Sequence, residues 1–254
     1  MTKCVIAILN QKGGVGKTTT TVNVGAYLAK SGSRVLLIDL DPQGNASSGL
    51  GIDKQNLGDT LYDVLLGSVS GKSILIKTSI EGLEILPSNS KLAAAEIDMV
   101  NIPNREFLLN QALQSFDHDY IIIDCPPSLG LLSLNGLAAA DQVIIPVQAE
   151  YYALEGLGQL LGVIQRVQQG INPDLDLLGV VLTMYDKRNA LSEQVYSEIK
   201  KHFSDKVFKT IIPRNVRLAE APSFGKTIME HDGWSKGARA YKELAKEVAR
   251  RVKH

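Results

Sequence analysis

The feature that most restricts this chain lies near its start. An apolar run, Val5 to Leu9, leads into Asn10-Gln11-Lys12-Gly13-Gly14-Val15-Gly16-Lys17-Thr18-Thr19 and then directly into a helical pattern, Lys17 to Ser31. Three closely spaced glycines let the backbone turn so that successive N–H groups point inward, and the following helix adds the positive end of its dipole. A strand feeding such a turn and a helix opens a βαβ unit. Further β-branched runs occur at Arg34 to Asp39, Leu83 to Leu86, Tyr120 to Asp124, Gln142 to Val147, Leu177 to Met184 and Val207 to Ile212. Helical patterns between and after them cover Asn104 to Phe116, Ala153 to Gln169, Leu191 to Phe203 and Ala238 to Val252. This alternation predicts an α/β fold, a doubly wound, mostly parallel sheet with helices on both faces and an irregular insertion around Gly44 to Gly82. No repeat, low-complexity tract or linker interrupts it, so residues 1–254 are expected to form a single domain.

Composition narrows the function classes. With 254 residues, 44% of them hydrophobic and 21% charged, the chain can bury a core, which excludes disorder. Cys4 and Cys125 are too few for a disulfide framework and lie in apolar runs, so a reduced, cytoplasmic protein is expected. No apolar stretch approaches a membrane span and no cleavable signal pattern is visible, so no membrane partner is expected. The zero net charge divides unevenly. Residues 1–180 carry 11 Lys and Arg against 18 Asp and Glu, and residues 181–254 carry 16 against 9. The basic last third suggests a polyanion contact.

In the glycine loop, Lys17 is placed to reach β- and γ-phosphates and the Thr18 hydroxyl to ligate Mg²⁺. Alternation along the second strand puts Asp39 and Asp41 on one side of the chain at the sheet edge where open α/β folds bind ligands. A carboxylate there can hold a water in line with a γ-phosphate, although Asp before Pro42 is also ordinary turn chemistry. The strand Tyr120 to Asp124 ends in one acid suited to holding Mg²⁺ directly or through water, and Pro126-Pro127 stop its pairing. The loop departs from the common G-x-x-x-x-G-K-[ST] phosphate pattern, with Gln11 where the first glycine belongs and a second lysine, Lys12, beside it.

That K-G-G-x-G-K-[ST] pattern resembles the deviant Walker A motif of the ParA/MinD ATPases, P-loop NTPases in fold. The runs QKGGVGKTTT, VLLIDLDPQGNASSGLG, YIIIDCPPSLG, LLGVVLTMYD and IIPRNVRLAEAPSFGK extend the resemblance over nearly the whole chain, to the ParA/Soj partition ATPases. The resemblance implies ATP and Mg²⁺ as cofactors, with ATP held by Lys12, Gly13, Gly14, Val15, Gly16, Lys17, Thr18 and Thr19 and its adenine by Pro213, Arg214 and Asn215. It implies metal-holding roles for Thr18 and Asp124, catalytic roles for Lys12, Lys17 and Asp41 with Asp39 in support, and a switch II region over Ser128 to Asp141. Lys12 would reach across an ATP-sandwich homodimer to the partner's nucleotide. The dimer would bind double-stranded DNA without sequence preference, at the nucleoid, and a ParB-type protein would stimulate its slow hydrolysis. Arg188 and Arg217 are the positions the resemblance assigns to DNA; Lys187, Arg214, Lys226, Lys236 and Arg239 are further candidates, most of them expected in loops. The N-terminal DNA-reading extension of longer plasmid-type relatives is not seen, so binding should be backbone-directed and salt-sensitive.

A MinD-like membrane-surface ATPase is the alternative. The final helical pattern, however, places Ala238, Tyr241, Leu244, Ala245, Val248 and Val252 on one face, and such small residues suit docking on protein better than inserting among lipids. A nitrogenase-iron-protein-like reductase needs paired cysteines that Cys4 and Cys125, at opposite strand ends, do not provide. A dethiobiotin-synthetase-type ligase would not account for Lys12, DLDPQGN or the basic third. His118, His202, His231 and His254 lack metal-ligand spacing and are expected at the surface, while Trp234 is expected to pack the last helix.

Overall fold

The computed structural model describes residues 3–150 and 153–252. The strands are β1 Cys4–Ile8, β2 Val35–Asp39, β3 Ile76–Lys77, β4 Leu83–Leu86, β5 Tyr120–Asp124, β6 Gln142–Gln148 and β7 Asp176–Thr183. They form one sheet in the order β3-β4-β2-β5-β1-β6-β7, parallel except where β3 joins β4. β1, β2 and β5 are buried at every position, which is why they read as unbroken apolar runs: both sheet faces are covered. Alternate residues feed opposite layers. Leu36, Ile38, Ile121 and Ile123 pack with Leu137, Leu160 and Ile164 of the helices Leu131–Ala139 and Ala153–Gly170. Leu37 and Ile122 pack with Val24 and Leu28 of the helix Lys17–Lys30 and with Tyr241 and Leu244 of the helix Lys236–Val252. The carboxyl end of β1, between β5 and β6, is thus a crevice of the kind where open α/β sheets hold ligands.

The doubly wound sheet is as expected, and the departures from sequence expectation have local causes. The insertion around residues 44–82 holds short helices and the edge strand β3, too brief to leave a periodic signal. The pattern at 104–116 is broken into a 3₁₀ turn, Arg105–Phe107, and a helix, Leu108–Leu113. There Asn135 intrudes on the helical ladder: its Oδ1 accepts the Leu109 N–H at 3.0 Å while its Nδ2 donates to the Arg105 carbonyl at 2.8 Å.

Residues 207–212 are not a strand. Phe208 N–H donates to Val180 O and Ile212 N–H to Leu182 O, so four residues of this segment run against two of β7 and the excess loops out. Trp234 does not pack the last helix; it is 92% exposed, and Ala238, Tyr241, Leu244, Ala245 and Val248 bury that helix instead. Nor are all the histidines superficial. His118 is buried with its Nε2 2.9 Å from Glu84 Oε2, and His231 is largely covered, its ring stacked on Phe224. His202 is exposed as expected, and His254 lies outside the described residues.

β7 is packed so closely at Gly179 that a Cβ there would lie 2.5 Å from the Lys206 carbonyl oxygen and 2.8 Å from the Phe208 ring. Backbone cannot yield as a flexible side chain can, so Gly179→Ala is expected to destabilise the fold by about 2 kcal/mol. A fall in the urea midpoint checks this; a midpoint equal to the parent's would contradict it.

Candidate active site

The loop after β1 owes its shape to residues that only glycine fills readily: Gly14 has φ 75° and Gly16 φ 88°. Gly16 is the N-cap of the helix Lys17–Lys30, and no side chain caps that end, so its amides remain available to an anion. β6 and β7, on one side of β1, fix the loop. Asn10 Nδ2 donates to Pro146 O at 2.7 Å, its Oδ1 accepts the Lys12 N–H, and the Thr183 hydroxyl at the end of β7 donates to Val15 O at 2.8 Å. Val15 is buried, whereas Gly13 and Gly14 face open space.

Lys17 is buried, with its Nζ 3.1 Å from Lys12 O. Burial pulls the Lys17 pKa down, and the neighbouring Asp124 and Asp41 carboxylates act against that fall. Asp39 and Asp124 are partners in register across β2 and β5 and are both fully buried. Asp124 Oδ1 accepts the Thr21 hydroxyl at 3.1 Å. Burial, and then the adjacent Asp39, push Asp124 up to about 8. Asp39 is pushed up to about 6 by burial, although the amide and hydroxyl of Ser47 both donate to its Oδ2 at 2.7 Å. Asp41 sits just beyond, its Oδ1 accepting the Gln43 N–H at 2.9 Å.

One oxygen on each buried strand-end carboxylate, Asp39 Oδ1 and Asp124 Oδ2, has no partner. Buried polar atoms are almost always satisfied, so these mark a site that lacks positive charge. A divalent cation beside Thr18 and Asp124, with phosphates on the loop amides and Lys17, fits that donor set.

Lys12 points away from this cluster. Its side chain is 54% exposed and pairs with Glu150 at the end of β6. Pro213 bridges to Tyr185, two residues beyond Thr183, and Arg214 N–H donates to Tyr185 O at 3.1 Å. β7 therefore brings residues 213–215 to the sheet edge that carries the phosphate loop. Asn215 uses its Oδ1 to cap the helix Val216–Glu220. Pro213 and Arg214 also line a cleft of ≈ 910 Å³ with Lys187, Arg188, Lys209 and Lys236. Arg217, Lys226 and Arg239 are exposed but lie outside it. Contrary to the loop expectation, Arg217 belongs to a short helix and Lys236 to the first turn of the last one, while Arg239 lies in that last helix as its pattern predicted. Arg188 pairs with Asp186, and Arg217 with Glu220 and Asp232. Sequence inspection missed Glu150, Thr21 and Thr183. Thr21 alone had a signal, its place one helical turn after Lys17; the other two reach the loop only through sheet pairing.

A phosphate loop carrying two lysines, with strand-end aspartates converging on it, defines a P-loop ATPase of the deviant Walker A type. Residues 3–177 match the family model described as an AAA domain. The chain is 57% identical to the sporulation initiation inhibitor protein Soj of Bacillus subtilis, covering 96% of this chain and 98% of that protein. It is 51% identical to the chromosome-partitioning ATPase Soj of Thermus thermophilus, over 97% and 96% of the two chains. The chain belongs to the Soj/ParA family of chromosome-partitioning ATPases. Among solved structures, cobyrinic acid a,c-diamide synthase from Mycobacterium smegmatis with bound ATP analogue and magnesium superposes with a TM-score of 0.87 at 43% identity, covering 99% of this chain and 96% of that one.

The buried Asp39 makes the fold pH-dependent. Its folded pKa of about 6 lies above the ordinary aspartate value of 3.8, so its contribution is complete below about 4 and is lost as pH rises through 6. Asp39→Asn is expected to raise the melting temperature at pH 7.5 and to flatten its dependence between pH 4 and 6. Parallel melting curves for parent and variant across that range would contradict the assignment.

Proposed function

We propose that this chain is the DNA-segregation ATPase of a partition system, working as a nucleotide-dependent dimer. The observation that carries the reading is the division of labour between the two lysines: Lys17 is buried against the carboxylates, whereas Lys12 stands at the exposed rim in a solvent-facing pair. A lysine held outward by one weak contact is available to a phosphate presented by a second copy of the chain. Gly13, Gly14, Val15, Gly16, Thr18 and Thr19 supply the phosphate cradle, and Pro213, Arg214 and Asn215 the adenine side. Thr18 and Asp124 would hold magnesium, which when bound offsets the phosphate charge.

Within that frame Asp41 orients the attacking water. Its position beyond the end of β2, with one oxygen fixed by the Gln43 amide, leaves the other to accept a water proton. Asp39 is a support: its carboxylate ties Ser47, and Ser47 Oγ accepts the Ser88 N–H, so the ends of β2 and β4 are stitched together behind Asp41.

The cleft formed by Lys187, Arg188, Arg214 and Lys236, with Arg217, Lys226 and Arg239 outside it, is read as the face for nonspecific double-stranded DNA. Dimerisation brings two such faces into one particle and raises avidity, so ATP controls DNA affinity without any new contact. A ParB-type partner that stimulates hydrolysis then releases the DNA, and the names of the relatives support this setting at the nucleoid. A MinD-like membrane role is disfavoured because the apolar face of the last helix is used up inside the protein, and no helix among the described residues is long and apolar enough to cross a membrane.

DNA binding measured with ATP, ADP and no nucleotide across a salt series tests the reading. Tight binding is expected only with ATP and Mg²⁺, falling steeply with salt. Lys12→Ala is expected to keep nucleotide binding and remain monomeric in sedimentation, and Arg188→Glu with Arg217→Glu to dimerise yet lose DNA at least a hundredfold. Equal DNA affinity in all nucleotide states, or an unchanged Lys12→Ala dimer, overturns it.

A further inference from the structure

Glu247 has no part in the assignments above, yet its carboxylate is among the most heavily used in the molecule. It lies on the helix Lys236–Val252, only 5% exposed, far in sequence from the phosphate loop. Its Oε1 accepts the Lys209 N–H at 2.9 Å, its Oε2 accepts the Thr210 N–H at 3.0 Å and the Thr210 hydroxyl at 2.9 Å, and Arg251 pairs with it at 3.0 Å. These hydrogen bonds outweigh burial, which alone would raise its pKa, and hold the group below the usual carboxylate range.

The two amides it captures, of Lys209 and Thr210, belong to the three looped-out residues between the β7 contacts of Phe208 and Ile212. In a regular parallel ladder the Thr210 amide would turn to β7; here it turns to Glu247, and the next ladder bond is delayed to Ile212. That delay sets where the following residues fall: Pro213 against Tyr185, and Arg214 donating to Tyr185 O. Arg251 completes the staple, its guanidinium donating to Leu178 O and Val207 O while lying 4.1 Å over the Phe208 ring. The start and middle of the excursion are thus fixed by one helix, and its far end by Leu182 O of β7.

We propose that Glu247 is the positioning residue of the base-side loop: by taking the Lys209 and Thr210 amides it sets the register of Pro213 to Asn215, and so governs selectivity for the nucleoside base without touching the nucleotide. This rests on the reading of residues 213–215 as the adenine side. The phosphate loop is held independently, by Asn10 and Thr183, so the loss of Glu247 should be felt by the base and not by the phosphates.

The experiment compares the affinities of fluorescent ATP and GTP analogues and of inorganic tripolyphosphate for the full-length parent, Glu247→Ala and Glu247→Gln. Gln keeps the volume but presents an N–H donor toward one of the two amides, so it remains informative if the alanine variant does not fold. In either variant the ATP-to-GTP affinity ratio is expected to fall at least tenfold while tripolyphosphate affinity stays within twofold of the parent. An unchanged ratio, or equal losses for all three ligands, overturns the positioning role. Photolabelling of the parent with 8-azido-ATP decides the underlying reading separately: label mapped to residues 209–217 upholds the base-side loop whatever Glu247 does, and label confined elsewhere removes it and the proposal together.

Discussion

The structure turns on placing charge in the dry crevice at the carboxyl end of β1. Lys17, Asp39 and Asp124 are all buried, and the two strand-end carboxylates face each other in register across β2 and β5. Burying ionisable groups without full compensation is costly, on the order of several kcal/mol per ion even after the protein relaxes. Here the compensation is partial, through Ser47 and Thr21, and two carboxylate oxygens are left over. The large apolar sheet supports that cost. Its fully buried strands leave little freedom for the strand ends to drift apart, so the deficit of positive charge is held open at the place where a cation and phosphates would relieve it.

The central strands and the phosphate loop were legible in the sequence because their signals are local. Unbroken apolar runs follow from two-sided burial, and the glycines of residues 13–16 carry the positive φ values of the loop. Features created by distant side chains were not legible. Nothing in residues 104–116 announces that Asn135 enters their helical turn, and nothing in residues 207–212, with their strand-like composition, announces that Glu247 removes two amides from the ladder. Trp234 failed for a related reason: a large apolar residue carries a burial prior, but the last helix is already closed over the helix Lys17–Lys30 by small side chains and Tyr241, whose hydroxyl meets Thr20 at 3.2 Å.

β7 organises the site more than its position near the sheet edge suggests. At its end Thr183 grips the phosphate loop through Val15 O, and two residues later Tyr185 receives the segment that contains Pro213 and Arg214. The same segment forms one wall of the basic cleft. The phosphate loop, residues 213–214 and the cleft therefore share a single strand as their frame, and the last helix reaches that frame through Glu247 and Arg251. A displacement of the C-terminal helix would be felt first at residues 207–210, which Glu247 and Arg251 hold directly, while the phosphate loop keeps its own ties through Asn10 and Thr183.

The ion pairs of the molecule fall into two kinds, and the difference bears on which residues are free to act between molecules. Arg251 and Glu247 are buried and share their partners' backbone groups, so separating them leaves an uncompensated charge indoors. Lys12 with Glu150, Arg188 with Asp186, and Arg217 with Glu220 and Asp232 are substantially exposed, where a pair contributes on the order of 0–1 kcal/mol. An incoming phosphate matches or exceeds what such a pair supplies, because it accepts charge-assisted hydrogen bonds in the same geometry with more negative charge. Lys12, Arg188 and Arg217 have partners that are readily exchanged, whereas the pair that holds residues 207–210 is largely covered.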